Sequence, residues 1–233
     1  MRSSAAPVSF GNLSTRYAGR KAENYERQRS GKKWVSENRA VEQLLTYVRE
    51  GSSILDVPVG TGRFFPYFNA RKFKTFGVDT SADMIAQARA NAERIGARVR
   101  LIEGNILSLP YDDDTFDLVM CIRFLNLIDW QGVDSVLHEL TRVSRDKIMI
   151  GVRYITPFSD LQAPPADLLR LAMRLAGIPR HLARRRKLVF HEKPSLNKLL
   201  DNLGMDVLHR SYVERRWDGT DYVILLLRKR TSK

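Results

Sequence analysis

Five short apolar runs alternate with stretches of helical periodicity through the middle of this chain, and the links between them are short. The runs are "SSILDVPV", which opens the series, "KTFGVD" (74–79), "VRLIEGNI", "FDLVMCI" (116–122) and "KIMIGVRYI" (147–155). Between them, residues 81–97 place Met84, Ile85, Ala88 and Ala92 on one helical face, with Ser81 as N-cap and Gly96 as stop. "GVDSVLHELTRVS" does the same with Val133, Val136, Leu137, Leu140 and Val143. Strands that recur after helical crossovers must run parallel, and the helices must cover both faces of their sheet.

The flanks complete the plan. A helix is expected from Lys33, with Trp34, Val41, Leu44, Leu45 and Val48 on its buried face and Gly51 as its stop. After the fifth strand, residues 194–204 read as a helix capped by Ser195, and "MDVLHRSYVERRW" and "DYVILLLRKR" read as strands joined by a "DGT" turn. The expected fold is α/β: a doubly wound, mostly parallel seven-stranded sheet with helices on both faces and a C-terminal antiparallel hairpin.

Composition narrows the setting. Thirty-nine basic residues against 26 acidic ones give a formal charge of +13, which favours an anionic partner. No run approaches the roughly 18–20 apolar residues of a membrane span. The single cysteine, Cys121, leaves no internal disulfide and no cysteine-built metal site. Without the apolar core of a signal peptide, the expected location is the cytoplasm, with peripheral contact to a membrane surface left open.

In open α/β sheets a ligand binds beyond the carboxyl ends of the strands, where strand order reverses. The loop after the first strand is "PVGTG". Gly60 and Gly62 let the backbone turn sharply and approach a ligand closely. Dinucleotide loops need a third glycine at 65, where this chain has Phe65, and no Gly-Lys-Ser/Thr follows to make a phosphate loop. Asp56 ends the first strand and Asp79 the second; an acid at the latter point can accept ribose hydroxyls. The ligand that suits this loop has a ribose and a positive charge but no phosphate.

"ILDVPVGTGRF", "GVDTSADMIAQARANA", "IEGNILSLPYDDDTFDLVMC" and "ELTRVSRDKIMI" resemble, in order and spacing, the motifs of class I S-adenosylmethionine-dependent methyltransferases. The resemblance implies a Rossmann-like methyltransferase with S-adenosyl-L-methionine as cofactor and S-adenosyl-L-homocysteine as product. It places Asp56, Gly60 and Gly62 under the methionine part, Asp79 on the ribose, Met84 over the adenine, and Asn105 and Ile106 beside it. Cys121 to Asn126 would flank the donor methyl, and Arg29 would take the cofactor carboxylate. Pro58 stands where the family commonly has glycine, and Asn126 where many relatives have histidine. No catalytic base is evident; Asn126 and His191 are the weak candidates.

The expected organisation is one domain, 1–233: an N-terminal arm and helix (1–50), a cofactor-binding core (51–155), a basic cap insertion (156–193), and a C-terminal helix and hairpin (194–233). No Asn-Pro-Pro-Tyr follows the fourth strand, where the chain reads "CIRFLNLID", so planar amide and adenine-N6 targets are disfavoured. The cap carries Arg170, Arg174, Arg180, Arg184, Arg185, Arg186 and Lys187, with no acid between Asp167 and Glu192. A small-molecule or lipid-linked acceptor with an anionic group is expected, with acidic membrane or RNA as surfaces that 170–187 could touch. The alternatives are an RNA or ribosomal methyltransferase and a non-catalytic binding protein of the same fold.

Overall fold

The computed structural model describes residues 31–155, 189–215 and 220–230. In chain order these form α1 (Lys32–Leu45), β1 (Ser53–Asp56), α2 (Phe65–Ala70), β2 (Lys74–Asp79), α3 (Ala82–Arg94), β3 (Val99–Glu103) and β4 (Phe116–Cys121). A single 3-10 turn (Leu125–Leu127) precedes α4 (Trp130–Val143), β5 (Ser144–Ile155), β6 (His191–Glu192), α5 (Lys193–Asn202), β7 (Met205–Glu214) and β8 (Thr220–Lys229).

The sheet runs β3-β2-β1-β4-β5-β8-β7. The pairs from β3 to β5 are parallel, whereas β8 runs antiparallel to both β5 and β7. Strand order reverses between β1 and β4, so the crevice above their carboxyl ends is where a ligand belongs. To the seven expected strands the structure adds an eighth, the two-residue β6, parallel to the end of β5.

Neighbouring residues on each strand point to opposite faces, and two cores result. Ile54, Leu118, Met120, Met149 and Ile224 pack against Val41, Leu45, Phe65, Phe68 and Ala88 of α1–α3. Leu55, Val119, Ile148, Ile150 and Val223 pack against Val133, Val136, Leu137 and Leu140 of α4 and Leu196, Leu199 and Leu200 of α5. The helical stripes read from the sequence are the faces buried here.

Two boundaries differ. α1 ends at Leu45, not near Gly51, because the Thr46 hydroxyl donates to the Gln43 carbonyl and the next amides bond three residues back. Gly51 instead turns the chain into β1, donating its N–H to Arg71 O. α5 begins before Ser195, with Glu192 at the N-cap; Pro194 fits the first turn, where no N–H is needed. Ser81 does cap α3, accepting from Met84 N at 3.3 Å.

A candidate cofactor site and a buried charge cluster beside it

The loop after β1 is built on its neighbours. Val59 donates to Val78 O at 2.8 Å, laying the turn across β2. The Val57–Pro58 bond is cis. Gly60 has φ 54 and donates its N–H to Asp79 Oδ2 at 2.9 Å. Gly62 has φ 74, and a Cβ there would lie 2.1 Å from the Phe65 ring. Phe65 thus takes the space that a third glycine leaves in dinucleotide loops, and its ring closes over Gly62. A Cβ added to Gly60 would meet nothing within 4 Å, so that stretch of backbone faces open space.

Asp79 holds the loop and the next helix together: Oδ2 takes Gly60 N–H, and Oδ1 takes Ser81 N–H at 3.0 Å. Burial raises its pKa, against the pull of those backbone donors. Asp56 is 2% exposed. Burial pushes its carboxyl well above the usual range; Arg63 opposes the rise and Asp79 adds to it.

The other expected residues lie around this centre. Met84 is buried in the first turn of α3, beside Asp79. Asn105 is exposed just past β3, where its Oδ1 accepts from Leu107 N at 3.0 Å. Ile106 is buried in the core under it. Cys121 ends β4 fully buried among apolar side chains, and burial drives its thiol pKa up, so it is no nucleophile.

Asn126 and His191 are tied to backbone. Asn126 Oδ1 accepts from Arg153 N at 2.6 Å, fastening the turn after β4 to β5. His191, in β6, is 3% exposed and donates Nε2–H to Leu125 O at 2.8 Å; burial lowers its pKa. These bonds give one side-chain atom of each of these two weak candidates a structural task. Arg29, the N-terminal arm, most of the cap insertion (156–188) and the turn containing Asp218 lie outside the described residues.

A charge cluster at the same edge of the sheet was not foreseen. Glu37, on α1, has a side chain only 1% exposed. Its Oε2 accepts from Arg63 Nη1 at 2.6 Å and from Arg123 Nη1 at 3.1 Å, and Oε1 accepts the hydroxyl of Tyr222 on β8. Burial alone would raise the Glu37 pKa, yet Arg63, Arg123 and Tyr222 hold it below the usual glutamate value. The Arg63 guanidinium is sandwiched between Trp34 and Phe64, at 4.0 and 4.1 Å from their ring centres. Next to this, Glu214 pairs with Lys33 and, at 3.1 Å, with Arg153. Gly151 on β5 makes room for Tyr222: a Cβ there would lie 2.7 Å from the phenol oxygen.

A signal for this cluster does exist. Glu37 falls three after Trp34 and four before Val41, on the very stripe read as apolar, and Arg153 interrupts the buried run of β5. A charge on a buried face demands a partner. Arg123 carries another mark: its φ of 67 is rare for a side chain other than glycine, asparagine or aspartate and costs roughly 1–3 kcal/mol.

The sheet order, the two-glycine turn and the acids ending β1 and β2 define a class I, Rossmann-like methyltransferase fold. Residues 54–147 match the family described as "Methyltransferase domain". The chain is 36% identical over 134 residues to a demethylmenaquinone methyltransferase from Thermobifida fusca, covering 55% of this chain and 53% of that protein. It is 32% identical over 97 residues to a phosphatidylethanolamine N-methyltransferase from Cereibacter sphaeroides, covering 41% and 46%. The chain spans about half the length of these curated relatives. Among solved structures, magnesium protoporphyrin IX methyltransferase from Synechocystis PCC 6803 with bound SAH superposes with a TM-score of 0.70 at 14% identity, covering 95% of this chain and 99% of that one. A second structure of that enzyme, at the same identity, holds SAM.

The residues present suit that molecule. Open space over Gly60 admits a ligand against the backbone. Asp79 accepts from the backbone of Gly60, Thr80 and Ser81, and a carboxylate with about four acceptor sites keeps room for a ribose hydroxyl. The buried Asp56 favours a positive group nearby. No His, Cys, Asp and Glu cluster among the described residues could hold a metal ion.

Proposed function

We propose that this protein is an S-adenosylmethionine-dependent methyltransferase whose acceptor is a small or lipid-linked molecule with an anionic group. The observation that carries the activity is the loop at residues 57–64, with Asp56 beneath it and Asp79 fastened to its Gly60 amide. For the acceptor, support comes from the basic residues Lys33, Arg63, Arg123 and Arg153 gathered at the ligand edge of the sheet. The relatives named above for demethylmenaquinone and phosphatidylethanolamine agree with a lipid-linked acceptor, and the second of these molecules carries a phosphate.

The cofactor supplies a methyl group on a sulfonium, already activated for in-line displacement. What remains for this chain is to bind, align and keep water out. Gly60 and Gly62 bring the backbone under the ligand, and Asp79 fixes the ribose. Met84 and Ile106 wall the adenine side. The turn after β4, pinned by Asn126, borders the space where an acceptor must stand. A nucleophile that can shed its proton to water needs no base from the protein.

Calorimetry with S-adenosylmethionine, S-adenosylhomocysteine and NAD tests the cofactor: the first two bind and NAD does not. The acceptor is tested by transfer of a radiolabelled methyl into a cell extract, followed by anion-exchange separation of the small molecules and lipids. Label is expected in the retained, nuclease-resistant fraction. Label confined to the neutral fraction, or to RNA, would overturn the acceptor reading and leave the activity standing.

A further inference from the structure

We infer that the carboxyl end of the sheet seats on an anionic lipid bilayer, with Val35, Trp130 and Tyr212 entering the headgroup layer. This contact is independent of which acceptor is methylated.

Three observations converge on it. The first is where apolar surface is exposed. Among the described residues four large hydrophobic side chains stand exposed: Val35, Tyr47, Trp130 and Tyr212. Three of the four lie at the carboxyl end. Val35, 63% exposed, is in the first turn of α1, where the adjacent Trp34 ring stacks on Arg63 of the β1 loop. Trp130, 37% exposed, opens α4 just past β4, its ring centre 5.8 Å from that of His191 in β6. Tyr212, 42% exposed, is near the end of β7, with its hydroxyl 3.3 Å from that of Tyr154, one residue before β5 ends. These side chains come from a helix on each face of the sheet and from its edge strand. What they share is one end of the molecule, which is what a flat partner meets.

The second is charge. Residues 1–30 hold six basic and two acidic side chains, and residues 156–188 hold seven basic and two acidic, so these two stretches carry nine of the formal +13. The chain comes from the first stretch into the start of α1. It leaves for the second at Ile155, the end of β5, and returns at Val189, whose N–H bonds Asn126 O at 2.8 Å in the turn after β4. All three points of attachment are at the carboxyl end, so most of the net charge is tethered around the same rim.

The third is the kind of side chain. Tryptophan and tyrosine pair an apolar ring with a polar tip and suit the headgroup level of a bilayer. A nucleic acid would answer the charge, but readers of single strands set stacking aromatics among their basic residues. Residues 159–188 contain no Phe, Tyr or Trp, and seven leucines instead. Attraction to anionic lipid and shallow apolar burial then act together, each too weak to hold the protein alone. A bilayer at this end lies against the mouth of the crevice above β1 and β4, which gives a lipid-linked acceptor a direct way in.

The test is co-sedimentation of the full chain, in physiological salt, with vesicles of phosphatidylcholine alone and of phosphatidylcholine mixed equally with phosphatidylglycerol. Binding to the mixed vesicles is expected, at least about tenfold stronger than to the neutral ones. Val35→Glu and Tyr47→Glu change the net charge alike. Tyr47, however, lies past the far end of α1, at least about 15 Å from Val35 and beyond the reach of a screened charge. Val35→Glu should weaken vesicle binding about tenfold and Tyr47→Glu less than about twofold. Bromine-labelled acyl chains should quench the tryptophan emission of the parent more than that of Trp130→Phe, which carries the test should a glutamate variant not fold. Equal binding to the two kinds of vesicle overturns the inference, as do equal losses in the two glutamate variants or quenching unchanged in Trp130→Phe. Retention on single-stranded RNA without retention on the mixed vesicles overturns it in favour of nucleic acid. Neither cofactor nor turnover enters these measurements, so each of those results leaves the methyltransferase reading standing.

Discussion

The two ends of the central sheet both carry arginine–carboxylate clusters, but of different kinds. At the amino-terminal edge, Arg142 bonds Glu139 and Asp113 at 2.8 Å and also the carbonyls of Leu109 and Tyr111. Arg145 meets Asp117 at 2.9 Å, whose carboxylate also takes the amide and hydroxyl of Ser53. Burial would raise the Asp117 pKa, and these donors with Arg145 bring it below the usual value. The cluster is solvated and ties loops to strands. At the carboxyl edge, Glu37 is sealed from water and its partners come from α1, the β1 loop, the β4 loop and β8. Exposed pairs contribute little, whereas a buried ion left without its partner is costly. The first cluster fastens the fold; the second shapes the crevice.

The sharpest way to break this contrast is Glu37→Ala against Arg142→Ala. Removing Glu37 leaves the buried Arg63 guanidinium without its carboxylate and should cost about 3–5 kcal/mol. Arg142→Ala should cost about 1 kcal/mol and less in high salt, since Arg142 and Asp113 are partly or largely exposed. Urea unfolding of both variants decides it, and equal losses would mean that the two edges do not differ.

Gly151→Ala comes next. The added methyl would press on the Tyr222 hydroxyl from β5 and should cost about 1–3 kcal/mol. Combined with Tyr222→Phe, which removes that oxygen, the penalty of the alanine should shrink. A double-mutant cycle in thermal unfolding measures the coupling, and strict additivity would place the strain elsewhere.

The smallest effect sharpens the electrostatic side. Asp56 has a raised folded-state pKa, so between the ordinary aspartate value and that raised value the folded protein holds a proton that the unfolded chain has lost. Stability of the ligand-free protein therefore falls as pH rises through this window. Glu37, whose pKa is lowered, has the opposite sign: it loses stability as pH falls below the ordinary glutamate range. Asp56→Asn should flatten the decline on the alkaline side and leave the acid side unchanged. Parallel Tm–pH curves for parent and variant would refute this.

The sheet and its helices were legible because each rests on local periodicity: Ile54 and Leu55, or Val136 and Leu140, declare their faces within a few residues. The two-glycine turn was legible for the same reason, its glycines and acids lying at fixed offsets from strand ends. The Glu37 cluster was passed over because its partners stand 26, 86 and 185 residues away, at distances where spacing says nothing. The acid on an apolar stripe showed that a partner must exist, but not which one. The backbone bonds of Asn126 and His191 were illegible for a related reason. Sequence shows two polar side chains, and only the tertiary fold brings Asn126 Oδ1 to Arg153 N and His191 Nε2 to Leu125 O.

The bond between Tyr222 and Glu37 joins α1 and β8 in time as well as in space. A chain emerging from the ribosome makes α1 and both arginine loops long before it makes β8. The Rossmann-like half can pair its strands early, but Glu37 gains its last donor only when residue 222 has arrived and been laid beside β5. Such long-range closure is slow and late in folding. The crevice is thus finished by the final strand, and a chain halted before it would keep its cofactor loop while lacking the hydroxyl that orients the acid beneath Arg123.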